Sequence, residues 1–414
     1  MRVAIVGAGV SGLAVAHLLQ REHEITVFEA GAYAGGHANT IRVDTPNETH
    51  HVDTGFIVFN DRNYPNFERL LGRLGVAWQP SEMSFSVSDG GDFEYSGSSA
   101  NGLFAKRAHL VTPWFHRMVA DLHRFNRSAR ELLALPSGTG PSLGHWLEDQ
   151  RFSRAFIEKL IVPQASAVWS ADPAQMWRFP ARFMVEFFDH HGMLGLLGRP
   201  RWRTVRGGSA SYVRALVAQL ADRLLLSTPV RSVERAEDHV LVTPAGGEPQ
   251  RYDQVVIATH SDQALRLLAD ASDRERELLG AIPYQANEAV LHTDTRLLPR
   301  RRRAWASWNY HLVEDPTART TVTYHMNRLQ SLRAEREFCV TLNRTEAIDP
   351  AAVIRRIEYE HPVFTAEGVA AQARVREISG RRRTHFAGAY WGWGFHEDGV
   401  RSAAAVGERF GARL

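Results

Sequence analysis

The first chemistry in this chain is set by glycine spacing. In Val6-Gly7-Ala8-Gly9-Val10-Ser11-Gly12, the glycines follow an apolar run, Arg2 to Val6, and open an apolar helical pattern through Leu13, Ala16, Leu18 and Leu19. Strand, glycine turn and helix in that order make an anion site. Gly7 permits the tight turn, Gly9 lets the backbone approach a pyrophosphate, Gly12 allows close helix packing, and the helix start at Val10 and Ser11 supplies N–H groups and positive dipole. A second apolar run, Ile25 to Phe28, ends at Glu29, which is placed to accept from a ribose hydroxyl. Gly35 and Gly36 follow, where bare backbone can pass a second phosphate. The spacing predicts a bound dinucleotide.

A second group of reactive residue types lies near the end of the sequence. His396, Glu397 and Asp398 can handle protons, and His260 with Asp262 forms another such pair. Gly399 and Val400 directly precede a helical pattern, Arg401 to Arg413, so their N–H groups would stabilise negative charge, with Asp398 as the helix cap. No His, Cys or carboxylate set has zinc spacing, and the adjacent His190 and His191 would diverge on a helix, so no metal site is expected. Cys339 is the single cysteine, which excludes a disulfide framework and a redox dithiol and predicts a small buried residue. The sequence holds no second GxGxxG, so no nicotinamide domain is expected.

The elements that must position these groups are spread over 414 residues, 44% of them hydrophobic and 23% charged. That length and composition predict a globular protein of two domains, built from discontinuous stretches of chain. The 49 basic residues are nearly balanced by 46 acidic ones, which argues against a nucleic-acid binder. No stretch approaches the roughly 20 apolar residues of a bilayer span, and the first strand starts at Arg2, so a cytoplasmic protein is expected, at most peripheral at the inner membrane face. Basic clusters at Arg300 to Arg303, beside Trp305 and Trp308, and at Arg381 to Arg383 read as solvated surface, with anionic lipid headgroups as the alternative. Helical patterns are expected over residues 115–135, 143–156 and 179–197, in a middle segment rich in Trp, Phe, Met and Leu. Arg206-Gly207-Gly208-Ser209 opens a helix over 212–224, followed by strands at 229–234, 239–243 and 254–258, and 384–414 reads as strand, loop, helix.

These motifs, taken in order, resemble the flavin-containing amine oxidase superfamily of monoamine oxidases, protoporphyrinogen oxidases and carotenoid desaturases. The resemblance rests on Val6 to Gly12, Glu29, Gly35-Gly36-His37-Ala38-Asn39-Thr40, Val52-Asp53-Thr54-Gly55-Phe56-Ile57-Val58, Arg206 to Ser209, Val230, Val256-Ile257-Ala258-Thr259, Phe386-Ala387-Gly388-Ala389 and Gly399-Val400. It implies an α/β fold, with a Rossmann-type FAD-binding domain interleaved with an α+β substrate domain. The FAD domain would take residues 1–77, 205–281 and 381–414, and the substrate domain 78–204 and 282–380. It further implies that Thr54, Gly55, Phe56 and Ile57 pass the isoalloxazine edge, that Val230 meets adenine with Ala258 and Thr259 nearby, and that His37 stands where relatives carry arginine. Relatives with covalent flavin carry a cysteine near the last motif; Cys339 lies well before it, so the FAD is expected to be noncovalent.

Amine oxidases of the superfamily place a lysine on a substrate-domain strand, but Asn287 to His292 contains none, and the only lysines are Lys106 and Lys159. Tyr390, Trp391, Trp393 and Phe395 offer aromatic walls. The sequence is more similar to a bacterial branch of FAD-dependent oxidoreductases marked by Gly35 to Ala38, Asp53 to Asn60, Ala258 to Asp262 and Gly394 to Gly399. That branch resembles the flavin domain fused to plant cyclopropane fatty-acid synthases. The implied substrate is an unsaturated acyl chain, phospholipid-linked, with a cyclopropane-synthase-like methyltransferase as partner. The expected reaction is hydride transfer to flavin N5 with proton removal, leaving a new double bond and passing electrons to oxygen or another acceptor; His396, Glu397, Trp393 and Tyr390 are the expected catalytic residues. Redox-neutral double-bond isomerisation, amine oxidation and a non-catalytic flavin partner are the alternatives. Phe183, Met184, Phe187, Phe188, Met193, Leu194, Leu196 and Leu197 read as core helix, acyl tunnel or membrane-facing surface, with Arg199, Arg201 and Arg203 suited to headgroups.

Overall fold

A computed structural model describes residues 1–136, 139–195, 198–313 and 319–414. β1 (Arg2–Val6) runs through the glycine turn into α1 (Val10–Leu19) and on to β2 (Glu24–Phe28). Three later strands, β3 (Leu224–Leu225), β4 (Gln254–Ile257) and β5 (Thr384–Phe386), complete a parallel sheet in the order β3-β2-β1-β4-β5. The final helix, α2 (His396–Arg409), lies against α1. Gly399 and Gly407 make that approach feasible: a Cβ on Gly399 would stand 2.8 Å from Val10 Cγ1, and one on Gly407 2.8 Å from Leu18 Cδ1. An antiparallel meander of Val230–Arg235, Val240–Pro244 and Gln250–Tyr252 connects β3 to β4.

The second half of the molecule is a seven-stranded sheet assembled from distant segments. Its order is Val353–Pro362, Tyr284–His292, Cys339–Leu342, Val322–His325, Trp308–His311, Phe85–Ser88 and Glu94–Ser96. Every pairing is antiparallel except that of Trp308–His311 with Phe85–Ser88. The helices Pro113–Leu132, Leu143–Asp149, Val162–Trp169 and Ala181–His190 share a continuous apolar core with this sheet. Cys339 is fully buried within it, and burial raises its thiol pKa, so it is a packing residue rather than a nucleophile.

Several sequence boundaries move. The helix expected over 143–156 breaks because Arg151 adopts a left-handed φ of 51°, after which Ser153 restarts helix by accepting from Phe156 N. The stretch 179–197 is helical only over Ala181–His190, and Leu196 and Leu197 lie outside the described residues. Phe183, Met184, Phe187 and Phe188 are buried, which removes them from any membrane-facing surface. Arg203 is committed elsewhere: it pairs with Glu68 and lies over the Trp78 ring, 4.0 Å from its centroid. Among the described residues, no helix is long and apolar enough to cross a membrane.

Candidate active site

The glycine turn is shaped for a phosphate. Gly7 takes a φ of 102°, and a Cβ there would come 2.8 Å from Ala258 O, which sets Ala258 and Thr259 against the turn. At Gly12 a Cβ would lie 1.9 Å from Gly7 O, so this position admits no side chain. Gly9 differs: its Cβ direction meets nothing within 4 Å, so the turn opens there onto free space. No side chain caps α1, leaving its first N–H groups, at Val10, Ser11 and Gly12, for an anion. Gly35 and Gly36 close the opposite wall with φ values of 121° and 57°.

Glu29 ends β2 with its carboxylate fixed, accepting from Ala8 N and from Gly31 N, both at 2.7 Å. The chain from Leu225 to Val230 runs beside it, since Glu29 N donates to Leu225 O and Thr228 N to Glu29 O. Val230, expected at an adenine, therefore starts its strand within a few residues of the glutamate. An open anion cradle, a carboxylate at the end of β2 and a second glycine wall together fit the adenosine diphosphate half of FAD.

The C-terminal motif corrects one expectation. α2 begins at His396 rather than Arg401, so Gly399 lies inside its first turn, and its N–H already donates to Phe395 O at 3.1 Å. The free N–H groups at that helix start belong to His396, Glu397 and Asp398. Gly399 serves close packing instead, with Ala389 Cβ 3.8 Å from where its own Cβ would stand, and Val400 is buried in the core beneath. Gly388 N donates to Ser402 Oγ at 2.9 Å, pinning the strand-loop corner to α2.

The side chains of this motif are already engaged. His396 stacks on Phe56, centroids 3.5 Å apart, and its Nε2 sits 2.7 Å from Tyr212 Oη; burial lowers its pKa to about 3, so the ring is neutral. Glu397 accepts from Asn66 N, Asn66 Nδ2 and Phe67 N, capping the helix Pro65–Leu74. Asp398 accepts from Trp393 N at 3.0 Å and Phe395 N at 3.1 Å and pairs with Arg401, while burial pushes its pKa up to about 6. Tyr390 is buried on the far side of the sheet among Phe386, Leu278 and Trp391, away from Trp393. Of the four residues expected to be catalytic, only Trp393 stands on the aromatic wall described next.

Phe183 and Phe187, on the helix Ala181–His190, meet Trp393 with centroids 6.4 and 5.8 Å away, and Phe187 stacks on Phe395 at 5.3 Å. Phe364, just past the strand Val353–Pro362, closes the group at 5.1 Å from Phe183, and Trp169 Nε1 donates to Trp393 O. Phe364 was not singled out in the sequence; it joins only because its strand pairs with Tyr284–His292.

A ring cluster centred on His37 lies at the strand Val353–Pro362, which carries Tyr359 and His361. The His37 ring stacks on Tyr359 at 4.8 Å and lies 5.3 Å from His361, while Tyr359 Oη is 2.8 Å from Thr54 Oγ1. Gly55 is pressed against His37, whose carbonyl would stand 2.3 Å from a Cβ, and Phe56 N donates to that carbonyl. Ile57 continues the segment, its carbonyl accepting from Thr204 Oγ1. Burial first, then the charges of His361 and His260, lowers the His37 pKa well below the ordinary value, and burial lowers His361 to about 4. His37 Nε2 is buried without a partner, whereas His260 Nδ1 faces the Glu360 carboxylate at 3.4 Å. The unpartnered His37 nitrogen, on the residue whose backbone packs against Gly55, fits the polar edge of a flavin. Among the described residues, no group of His, Cys and acidic side chains is arranged to hold a metal.

The fold and these two ring clusters define a class: a dinucleotide domain interleaved with a sheet-and-helix substrate domain. Residues 10–343 match the flavin containing amine oxidoreductase family, and the chain belongs to it, with FAD as the cofactor that family carries. An L-amino-acid oxidase of Siganus canaliculatus is 26% identical over 330 residues, covering 70% of this chain and 56% of the fish enzyme. The chain thus matches little more than half the length of that relative. Among solved structures, cyclohexylamine oxidase from Brevibacterium oxydans superposes with a TM-score of 0.71 at 17% identity, covering 99% of each chain. A fatty acid isomerase from P. acnes that produces CLA superposes with a TM-score of 0.66 at 16% identity, covering 99% of this chain and 98% of its own. These structural likenesses establish the shared fold.

Proposed function

We propose that this protein is an FAD-dependent oxidoreductase that desaturates an unsaturated, phospholipid-linked acyl chain. The observation that carries the proposal is the aromatic wall of Phe183, Phe187, Phe364, Trp393 and Phe395, which joins the substrate helices to the loop leading into α2. Phe183, Phe187 and Phe364 are buried in the core, so the open part of this wall is Trp393 and Phe395, where covering methylenes contributes about 0.8 kcal/mol each. The strand Tyr284–His292 carries no lysine, which weighs against the amine chemistry named for several relatives.

When bound, FAD supplies a two-electron acceptor for hydride, with dioxygen as the final acceptor. The chain's part is to hold the acyl segment against the rings, exclude water and take a neighbouring proton. His37, whose Nε2 is buried without a partner, is the proposed proton acceptor; His361 Nδ1 already lies 2.9 Å from Asn287 Nδ2. His396 is assigned a positioning role, because its ring is clamped between Phe56 and Tyr212. Redox-neutral isomerisation is the second reading, favoured by the fold shared with a fatty acid isomerase.

The test is anaerobic absorbance of the FAD-loaded protein before and after adding monounsaturated phospholipid, with the lipid analysed afterwards. Bleaching of the oxidised-flavin band together with a diene product supports desaturation. A rearranged lipid without bleaching transfers the reading to isomerisation, and an unchanged band and lipid, with bleaching by an amine instead, overturns both.

A further inference from the structure

We infer that the protein docks on anionic membranes through a surface other than the arginines at 199–203, formed where the helical region meets the 300–303 cluster. The apolar part is a projecting turn. The short 3₁₀ helix Arg107–Val111 and the start of the helix Pro113–Leu132 leave Leu110 52%, Val111 83% and Trp114 42% exposed. Such a contiguous apolar tip is costly in water and normally marks a contact surface. Its base is rigid, since His109 stacks on Phe115 with centroids 4.1 Å apart and Trp114 packs beside Phe93.

The charges around the tip identify the occupant. Arg107 donates to Asn101 Oδ1 at 2.7 Å, and the neighbouring Gly102 stands 3.3 Å, measured from its Cβ direction, from Arg303 O, so both basic segments converge on one turn. The pKa of His109 is lowered first by its burial and then by the charges of Lys106 and Arg301, which places both segments within electrostatic range of the same ring. Arg300, Arg302 and Arg303 are exposed there, and among the described residues these three and Arg107 form no ion pair with a carboxylate. Lys106 and Arg301 do pair, with Asp92 and Glu94. An apolar wedge ringed by unpaired arginines complements a bilayer of anionic phospholipid: the side chains of the tip enter the acyl boundary while the guanidinium groups meet phosphates. This surface does not rest on the acyl-chain proposal.

The experiment is co-sedimentation of the FAD-loaded protein with phosphatidylcholine vesicles, with and without phosphatidylglycerol. Binding is expected only with the anionic lipid and should weaken with added salt. Replacing Leu110→Ser, Val111→Ser and Trp114→Ser together should reduce binding at least about tenfold, and Arg302→Glu with Arg303→Glu should do the same, at about fivefold per lost cation before the reversed charges add. Retention of the flavin spectrum shows that each variant is folded. Arg199→Glu with Arg201→Glu should leave binding unchanged. No binding to anionic vesicles, equal binding to neutral ones, or full binding by either variant at the tip or the arginines would overturn the inference. So would a lipid-free dimer, seen by sedimentation velocity, that dissociates in the tip variant, since the surface would then join two copies of the chain.

Discussion

The glycine turn of the dinucleotide domain is built from bare backbone, whereas the proposed substrate region is built from rings. At the first, Gly7, Gly9, Gly12, Gly35 and Gly36 clear side chains away, leaving the N–H groups at the start of α1 without a side-chain cap. At the second, Phe183, Phe187, Phe364, Trp393 and Phe395 meet from three separated segments. A backbone-lined site has few ways to be built, so its residues are dictated by sterics. A ring-lined site can be refilled with other apolar shapes, so it is the part free to set substrate choice.

The largest expected effect separates shape from occupancy at the backbone end. Gly12→Ala should cost about 3 kcal/mol and lose flavin, because its Cβ would meet Gly7 O at 1.9 Å. Gly9→Ala, with an ordinary φ of −72° and open space ahead, should leave the melting temperature of the FAD-free protein unchanged while flavin absorbance falls. If Gly9→Ala keeps full flavin content, the pyrophosphate does not lie there and the comparison fails.

Acid should sharpen the contrast next. Burial lowers His191, His292 and His361 to about 4 and His311 to about 3, all in the ring-built half, with His385 at about 4 and His396 at about 3 in the other. These rings are neutral when folded but take protons in the unfolded chain below 6.5, so stability falls as pH drops from 6.5 toward 4. Asp53 and Asp398, raised by burial to about 6, act in the opposite sense: their contribution is complete below 3.8 and is lost as pH rises through 6. The histidines are more numerous, so the melting temperature should decline in acid. Hydrogen exchange should accelerate in Tyr284–His292 and Trp308–His311 before it does in β1; uniform acceleration would mean that the two halves unfold as one.

The smallest effect probes the seam between them. Tyr212→Phe leaves His396 Nε2 buried without its partner and should cost about 1–2 kcal/mol, read as a lower melting temperature. Flavin content and turnover should stay within about twofold of the parent. A turnover loss far larger than that would return His396 to the reacting atoms.

What could be read from the residues follows the same division. Gly7 to Gly12 and Glu29 declare themselves because a local turn permits few alternatives, and the parallel sheet around them follows. The start of α2 misled because a glycine reads as a helix boundary, whereas Gly399 is retained inside the helix for its contact with Val10. Tyr359, His361 and Phe364 carry no local signal; their places depend on pairing Val353–Pro362 with Tyr284–His292. Tyr390 and Trp393, three positions apart, face different cores because the turn Ala389–Trp391 reverses the chain between them.

The contact of Gly399 with Val10 and Ser11 also joins the two ends of the chain. Nearly the whole described chain separates the two helices, yet they pack directly on each other. During synthesis the first glycine turn emerges early and must wait, exposed on the ribosome, until α2 follows. A chain interrupted before His396 would leave the apolar flank of α1 uncovered, an adhesive surface subject to chaperone binding or proteolysis.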